Sequence, residues 1–172
     1  MELGVPHIIL ALVALQRLGE LVYANMNTKA LLARGAVEIG ARHYPLFVLL
    51  HGGWLITLFL AVPADAPIVW PLVWLFLLLQ LGRVWVVATL GPYWTTRIIT
   101  LPGAPLVRRG PFRFVRHPNY LVVTGEIAVL PLAFGAWEIA LVFSVLNALL
   151  LRHRIRVEEG ALEERRPLPA AG

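Results

Sequence analysis

The chain has no cysteine among its 172 residues. Disulfides, thiolate nucleophiles and zinc–thiolate sites are therefore excluded, and cysteine usage says nothing of the redox compartment. Charge is scarce too: Asp, Glu, Lys and Arg make up 15%, against about a quarter in soluble domains. No G-x-G-x-x-G occurs, so a dinucleotide or adenosyl cofactor cannot be held in a Rossmann crevice. His43 and His51 lie eight residues apart without partners at ligand spacing, so no metal site is expected. There is no internal repeat of the kind that marks inverted-repeat transporters.

What fills the chain instead is apolar. Hydrophobic residues make up 59% and the mean hydropathy is +0.74, beyond the roughly half-apolar content of soluble domains. Such a chain cannot cover its surface with polar groups, and lipid is the expected solvent. The length predicts a single transmembrane domain over residues 1–164, followed by a short disordered tail, 165–172, with Pro167 and Pro169.

Five apolar stretches of helical length run Val5–Ala24, Pro45–Val62, Pro67–Leu90, Asn119–Phe134 and Trp137–Leu151. The first lacks a basic segment before it and a small-residue cleavage site after it, and reads as a retained helix rather than a signal peptide. The last two are short for a bilayer core of about 30 Å. With Gly135 and Ala136 between them they form a tight helical hairpin. The expected fold is all-α, with about five transmembrane helices.

The loops set the orientation. Lys29, Arg34 and Arg42 follow the first stretch; Arg97, Arg108, Arg109, Arg113 and Arg116 follow the third; Arg152, Arg154, Arg156, Arg165 and Arg166 follow the fifth. Five spans place these thirteen of the fifteen basic residues on one side, which the positive-inside rule makes cytoplasmic, with the N-terminus outside. The formal charge of +5 is thus a topology signal, and no nucleic-acid partner is expected.

Ionisable and polar groups also lie inside the stretches: Arg17, Glu20, His51, Gln80, Arg83, Glu126 and Asn147. Inside a membrane such residues are costly and are functional candidates by default. Arg17, His51, Arg83 and Glu126 each sit six or seven residues from one end of their stretch, about 10 Å deep at the helical rise. They predict a polar layer that either opens as a pocket or pairs to hold the bundle, with Arg17–Glu20 and Arg83–Glu126 as the pairs.

The most informative segment runs Leu106-Val107-Arg108-Arg109-Gly110-Pro111-Phe112-Arg113-Phe114-Val115-Arg116-His117-Pro118-Asn119-Tyr120. Gly110-Pro111 predicts a turn, and Pro118 suits the first turn of a helix. Arg116 and His117 then stand at a helix N-terminus, where unpaired N–H groups attract anions. Physics alone leaves two readings: a cradle for a small anionic group, or a basic anchor gripping headgroups.

This pattern, with R-H-P-x-Y at its end, resembles the isoprenylcysteine carboxyl methyltransferase family. The resemblance resumes at Arg154-Ile155-Arg156-Val157-Glu158-Glu159-Gly160-Ala161-Leu162, similar to the family's R-x-x-x-E-E-x-x-L. It is strongest from Tyr93 to Leu162. The stretch Arg34 to Glu38, with His43-Tyr44-Pro45, His51 and Trp54, is similar to a bacterial branch of the family.

The resemblance implies S-adenosylmethionine as cofactor and methylation of an oxygen on a lipophilic acceptor. Carried onto matching positions, it places Arg116, His117, Pro118, Tyr120, Glu158 and Glu159 at the cofactor. A cation there suits the cofactor carboxylate and a glutamate suits its ammonium or ribose hydroxyls. Glu158, His117 or Glu126 would serve as base for a hydroxyl acceptor, and Arg154 or Arg156 would hold the acceptor oxygen. Glu38, His43 and Tyr44 are expected to shape the acceptor entrance.

Two departures bear on the acceptor. Val122 stands where the family has a glycine, and Glu163-Glu164-Arg165-Arg166-Pro167 replaces the F-G-x-x-Y-type ending of eukaryotic members. The acceptor expected is a long-chain phenolic or pyrone lipid rather than a prenylated protein, in a bacterial plasma membrane. The alternatives are an NADPH-dependent membrane reductase of the sterol-reductase type, which carries a similar R-H-P-x-Y, and a non-catalytic membrane scaffold.

Overall fold

The computed structural model describes residues 2–104 and 106–163; the expected disordered tail lies outside them. Five α-helices occur there: α1 (Val5–Ala33), α2 (Tyr44–Ala61), α3 (Trp70–Leu90), α4 (Pro118–Ala133) and α5 (Trp137–Glu163). The first four each carry a proline in the first turn, where the missing N–H costs nothing and the fixed φ suits the helix.

Two helices outrun their apolar stretches. α1 continues to Ala33 rather than Ala24, and α5 continues through the Arg154–Leu162 motif to Glu163 rather than stopping at Leu151. The apolar stretch marks where lipid contacts a helix. The helix itself persists while good formers continue, here Lys, Ala and Leu in α1 and Arg, Glu, Ala and Leu in α5. The α4–α5 hairpin closes as expected, through Gly135 at φ 72°, with Ala136 N–H donating back to the Pro131 carbonyl at 2.9 Å. Such a left-handed residue is the usual glycine end of a helix.

α4 packs between α3 and α5, and α2 leans on α5. The core joins Leu10, Trp54, Leu58, Phe76, Ile127 and Leu130. Gly125 permits the close approach of α3 to α4, since a Cβ there would fall 2.9 Å from Leu79 Cδ1; small residues commonly serve this purpose in membrane bundles. The outer faces are apolar as well: Leu12, Leu15, Leu49, Leu60, Leu81 and Leu149 are all exposed. α1, α2 with its preceding turn, and α3 with its following turn are long and apolar enough to cross a membrane. The protein is a helical integral membrane protein.

The polar layer is a closed network. Glu20 accepts from Arg83 Nη2 at 2.6 Å and from Arg17 Nη1 at 3.1 Å. Glu126 meets Arg17 Nη2 at 2.9 Å and Arg83 Nη1 at 3.4 Å, and accepts from Gln80 Nε2 at 2.8 Å. Gln16 Nε2 donates to Gln80 Oε1 at 2.9 Å, completing the link between α1 and α3. Both anticipated pairs are present, and two cross pairs join them into one unit of two cations and two anions spanning three helices. His51 stands apart, its Nδ1 2.8 Å from the Phe47 carbonyl of its own helix.

The all-α expectation missed one feature. β1 (Val37–Ile39) and β2 (Ile98–Thr100) pair antiparallel, Glu38 opposite Ile99. This ribbon ties the α1–α2 connection to the α3–α4 connection. It is braced by Arg97 Nη1 on Glu38 Oε1 at 3.0 Å, by the Arg97 guanidinium 4.6 Å over the Tyr44 ring, and by Tyr44 Oη 3.1 Å from Thr96 Oγ1.

Candidate active site

At the end of the bundle where α3 gives way to the ribbon lies a cavity of about 700 Å³. Its walls come from parts far apart in sequence. The turn after α3 supplies Trp94, β2 supplies Ile98, and the 106–117 segment supplies Phe112 and Arg113. The first turn of α4 supplies Asn119 and Tyr120, and the end of α5 supplies Arg154 and Glu158. Asn27 on α1 fixes the turn after α3, donating to the carbonyls of Gly91 and Trp94 at 3.1 and 2.9 Å.

Tyr120 is the hub. Pro118 starts α4, as its position in the motif predicts, and the helix presents Tyr120 in its first turn. The phenol O–H donates to Glu158 Oε2 and accepts from Arg154 Nε at 2.8 Å. The Arg154 Nη2 donates to the Thr96 carbonyl at 2.8 Å, which anchors the guanidinium to the segment leading into β2. Arg154 is buried, with its Cζ 5.0 Å over the Phe47 ring and 5.9 Å over the Tyr120 ring. The imidazole of His117 stacks on Tyr120 at 5.3 Å. Its Nδ1 lies 3.9 Å from Glu158 and its Nε2 3.4 Å from Glu159.

The motif before α4 and the motif on α5 therefore meet face to face: His117, Pro118, Tyr120, Arg154 and Glu158 share one wall system, and Arg116 contributes at its rim. Glu159 stands just behind, 3.6 Å from Arg116 Nη1. Five candidates lie elsewhere. Glu126 belongs to the buried ion network, and Arg156 borders a separate groove on the far side of Tyr120. Glu38, His43 and Tyr44 do not line the cavity either. Glu38 and Tyr44 brace the ribbon behind its wall, and His43 packs edge-on to His153 at 5.2 Å.

Two lining residues were not anticipated. Trp94 Nε1 and Asn119 Oδ1 are buried without a hydrogen-bond partner among the described residues. A buried polar atom left unpaired is costly, and both residues line the cavity. Asn119 lies inside the R-H-P-x-Y motif and was legible as a candidate. Trp94 had no local signal.

The comparisons with known proteins bear on the same residues. Residues 72–164 match the Isoprenylcysteine carboxyl methyltransferase (ICMT) family. The chain belongs to this family. It is 37% identical over 168 residues to the uncharacterized protein YpbQ of Bacillus subtilis, covering 91% of this chain and 96% of that one. It is 28% identical over 149 residues to an uncharacterized protein of Haemophilus influenzae, covering 79% and 82%. No solved structure matches it. The matched region takes in every cavity residue from Tyr93 to Leu162 and leaves out α1 and α2. Membership indicates a membrane methyltransferase, and enzymes of this family use S-adenosylmethionine.

Proposed function

We propose that this protein transfers a methyl group from S-adenosylmethionine to an oxygen of a lipophilic acceptor, a hydroxyl, enol or carboxylate. The acceptor is a long-chain phenolic or pyrone lipid rather than a prenylated protein. The observation that carries the reading is the Arg154–Tyr120–Glu158 chain of hydrogen bonds on the cavity wall, beside the unpaired Trp94 Nε1 and Asn119 Oδ1. A cation, a carboxylate, an indole donor and an amide acceptor suit a ligand that carries a carboxylate, an ammonium and a nucleoside. The cavity volume also exceeds what a single such ligand fills.

The cofactor supplies an electrophilic methyl carbon on a sulfonium. Arg116, His117 and Asn119 bind and orient it from the α4 side, and Glu158 and Glu159 from α5. Displacement at that carbon needs alignment and a dry site more than covalent help. Glu158 takes the proton of a hydroxyl acceptor, while an acceptor that arrives ionised needs no base. Arg154, held by Tyr120 and the Thr96 carbonyl, stabilises the acceptor oxygen as an anion.

The catalytic end faces the cytoplasm of a bacterial plasma membrane, with five spans and the N-terminus outside. Because the chain has no cysteine, single cysteines at Asp65 and Arg109 test this with an impermeant maleimide. Labelling of the first alone in intact cells is the expected result.

An NADPH-dependent reductase is the second reading, favoured by Arg108, Arg113 and Arg116 on the same cavity, since a 2′-phosphate calls for arginines. Calorimetry on the purified protein separates the two. S-adenosylmethionine binding lost in His117→Ala and Glu158→Ala supports the methyltransferase. Binding of NADPH alone supports the reductase, and binding of neither returns the protein to a scaffold.

A further inference from the structure

A second depression, of about 500 Å³, runs along the outer face of the α4–α5 hairpin. Its floor is Leu121 and Thr124 from α4 and Ala148, Leu151 and Ile155 from α5. The Thr124 hydroxyl is turned to the Tyr120 carbonyl at 2.8 Å, so the residue adds no free donor to the floor. One end of this trench is apolar. The other carries Arg152 and Arg156, one helical turn apart and both exposed. Neither forms an ion pair among the described residues.

Tyr120 alone is common to this groove and to the cavity described above. The hairpin is antiparallel, so the levels along it are known. The contact of Arg154 with the Tyr120 hydroxyl sets Arg152 at the depth of Tyr120. Leu121, Thr124 and Ala148 lie towards the hairpin turn, and Arg156 lies away from it. An amphiphile lying along the groove would place its tail on the apolar floor and its head beside Tyr120, between two unpaired cations.

We infer that the α4–α5 groove is a binding site for a single-chain acidic amphiphile, its tail on Leu121, Ala148 and Leu151 and its anionic head at Arg152 and Arg156. The site is separate from the cavity, with Tyr120 as the residue the two share. It gives Arg156 a role that the cavity does not. It also defines the ligand by charge, because a neutral head leaves both arginines unpaired. Arginines near a membrane surface attract anionic groups.

The test uses palmitic acid carrying a diazirine near its terminal methyl, photolysed with the detergent-purified protein. Labelled peptides are mapped and S-adenosylmethionine binding is followed by calorimetry on the same samples. Label is expected on the α4 and α5 peptides that contain Leu121 and Ala148. Ala148 is exposed, so Ala148→Trp fills the trench without entering the core. It should cut labelling about tenfold, the loss that two unburied methylenes would cause. The Arg152→Gln/Arg156→Gln variant should weaken labelling by the acid about thirtyfold and spare the matching diazirine alcohol. Label spread over the outer faces of all helices and indifferent to Ala148→Trp overturns the groove, as does equal loss of acid and alcohol in the arginine variant. Those results leave cofactor binding intact. Failure of the wild-type protein to bind S-adenosylmethionine instead removes the methyltransferase reading, while hairpin labelling still reports on the groove.

Discussion

Two regions of this molecule are built from the same residue types and do opposite things with them. Within the bundle, Arg17, Glu20, Arg83 and Glu126 balance two charges against two, and the side-chain amides of Gln16 and Gln80 bridge them. At the end of the bundle, Arg154, Glu158 and His117 gather around Tyr120, beside a cavity lined by Trp94 and Asn119, each with an unpaired polar atom among the described residues. The first arrangement is saturated; the second has valence left over. Saturation makes a fastening, whereas spare hydrogen-bonding capacity beside a void makes a site. The two regions meet where the Arg83 guanidinium lies 5.8 Å over the Trp94 ring.

The largest effect should come from breaking the fastening. Arg83→Leu leaves Arg17 as one cation against Glu20 and Glu126 in a low-dielectric interior, and loss of one partner of a buried pair costs about 3–5 kcal/mol. A thermal unfolding scan in detergent should show a large fall in midpoint. Arg83→Leu combined with Glu126→Leu should recover part of it; a wild-type midpoint in the single variant would mean the network holds nothing together.

Next comes the site. Glu158→Ala removes an acceptor from Tyr120 and should weaken S-adenosylmethionine binding about 10- to 100-fold, the range for a charge-assisted hydrogen bond. Its unfolding midpoint should stay close to wild type. A midpoint as low as that of Arg83→Leu would erase the distinction between the regions.

Tyr120→Phe keeps the ring that His117 stacks on and deletes only the hydroxyl. Cofactor affinity should hold within about threefold while methyl transfer slows about tenfold, a split read from binding and turnover on one preparation. The smallest effect belongs to the ribbon: the Arg97–Glu38 pair is partly exposed, and Glu38→Gln should cost about 1 kcal/mol or less.

Sequence reading reached the helices through lipid-scale apolar runs, and that criterion explains both its success and its errors. It located all five helices and the Gly135 hairpin. It ended α1 at Ala24 and α5 at Leu151 because polar residues begin at Asn25 and charge at Arg152, although helix propensity does not stop. The β1–β2 ribbon was out of reach, since three-residue strands more than fifty positions apart carry no local pattern. Arg17–Glu20 was visible from spacing on one helix, but Arg83–Glu20 required knowing which faces of α1 and α3 meet. In the site, Tyr120 and Glu158 were flagged by motif. Trp94 was not, because its role comes from a turn that Asn27 of a different helix holds in place.

The ion network also has a consequence for how the chain is made. α1 enters the membrane with Arg17 and Glu20 long before Arg83 and Glu126 have been synthesised. A charged residue at mid-helix burdens insertion by about 2.5–3.5 kcal/mol on translocon scales. The Arg17–Glu20 contact lies within a single helix, three residues apart, so the newborn segment can neutralise itself while it waits. When α3 and α4 arrive, that provisional pair opens to admit them, and the same two side chains turn from an escort for insertion into a lock on the finished bundle.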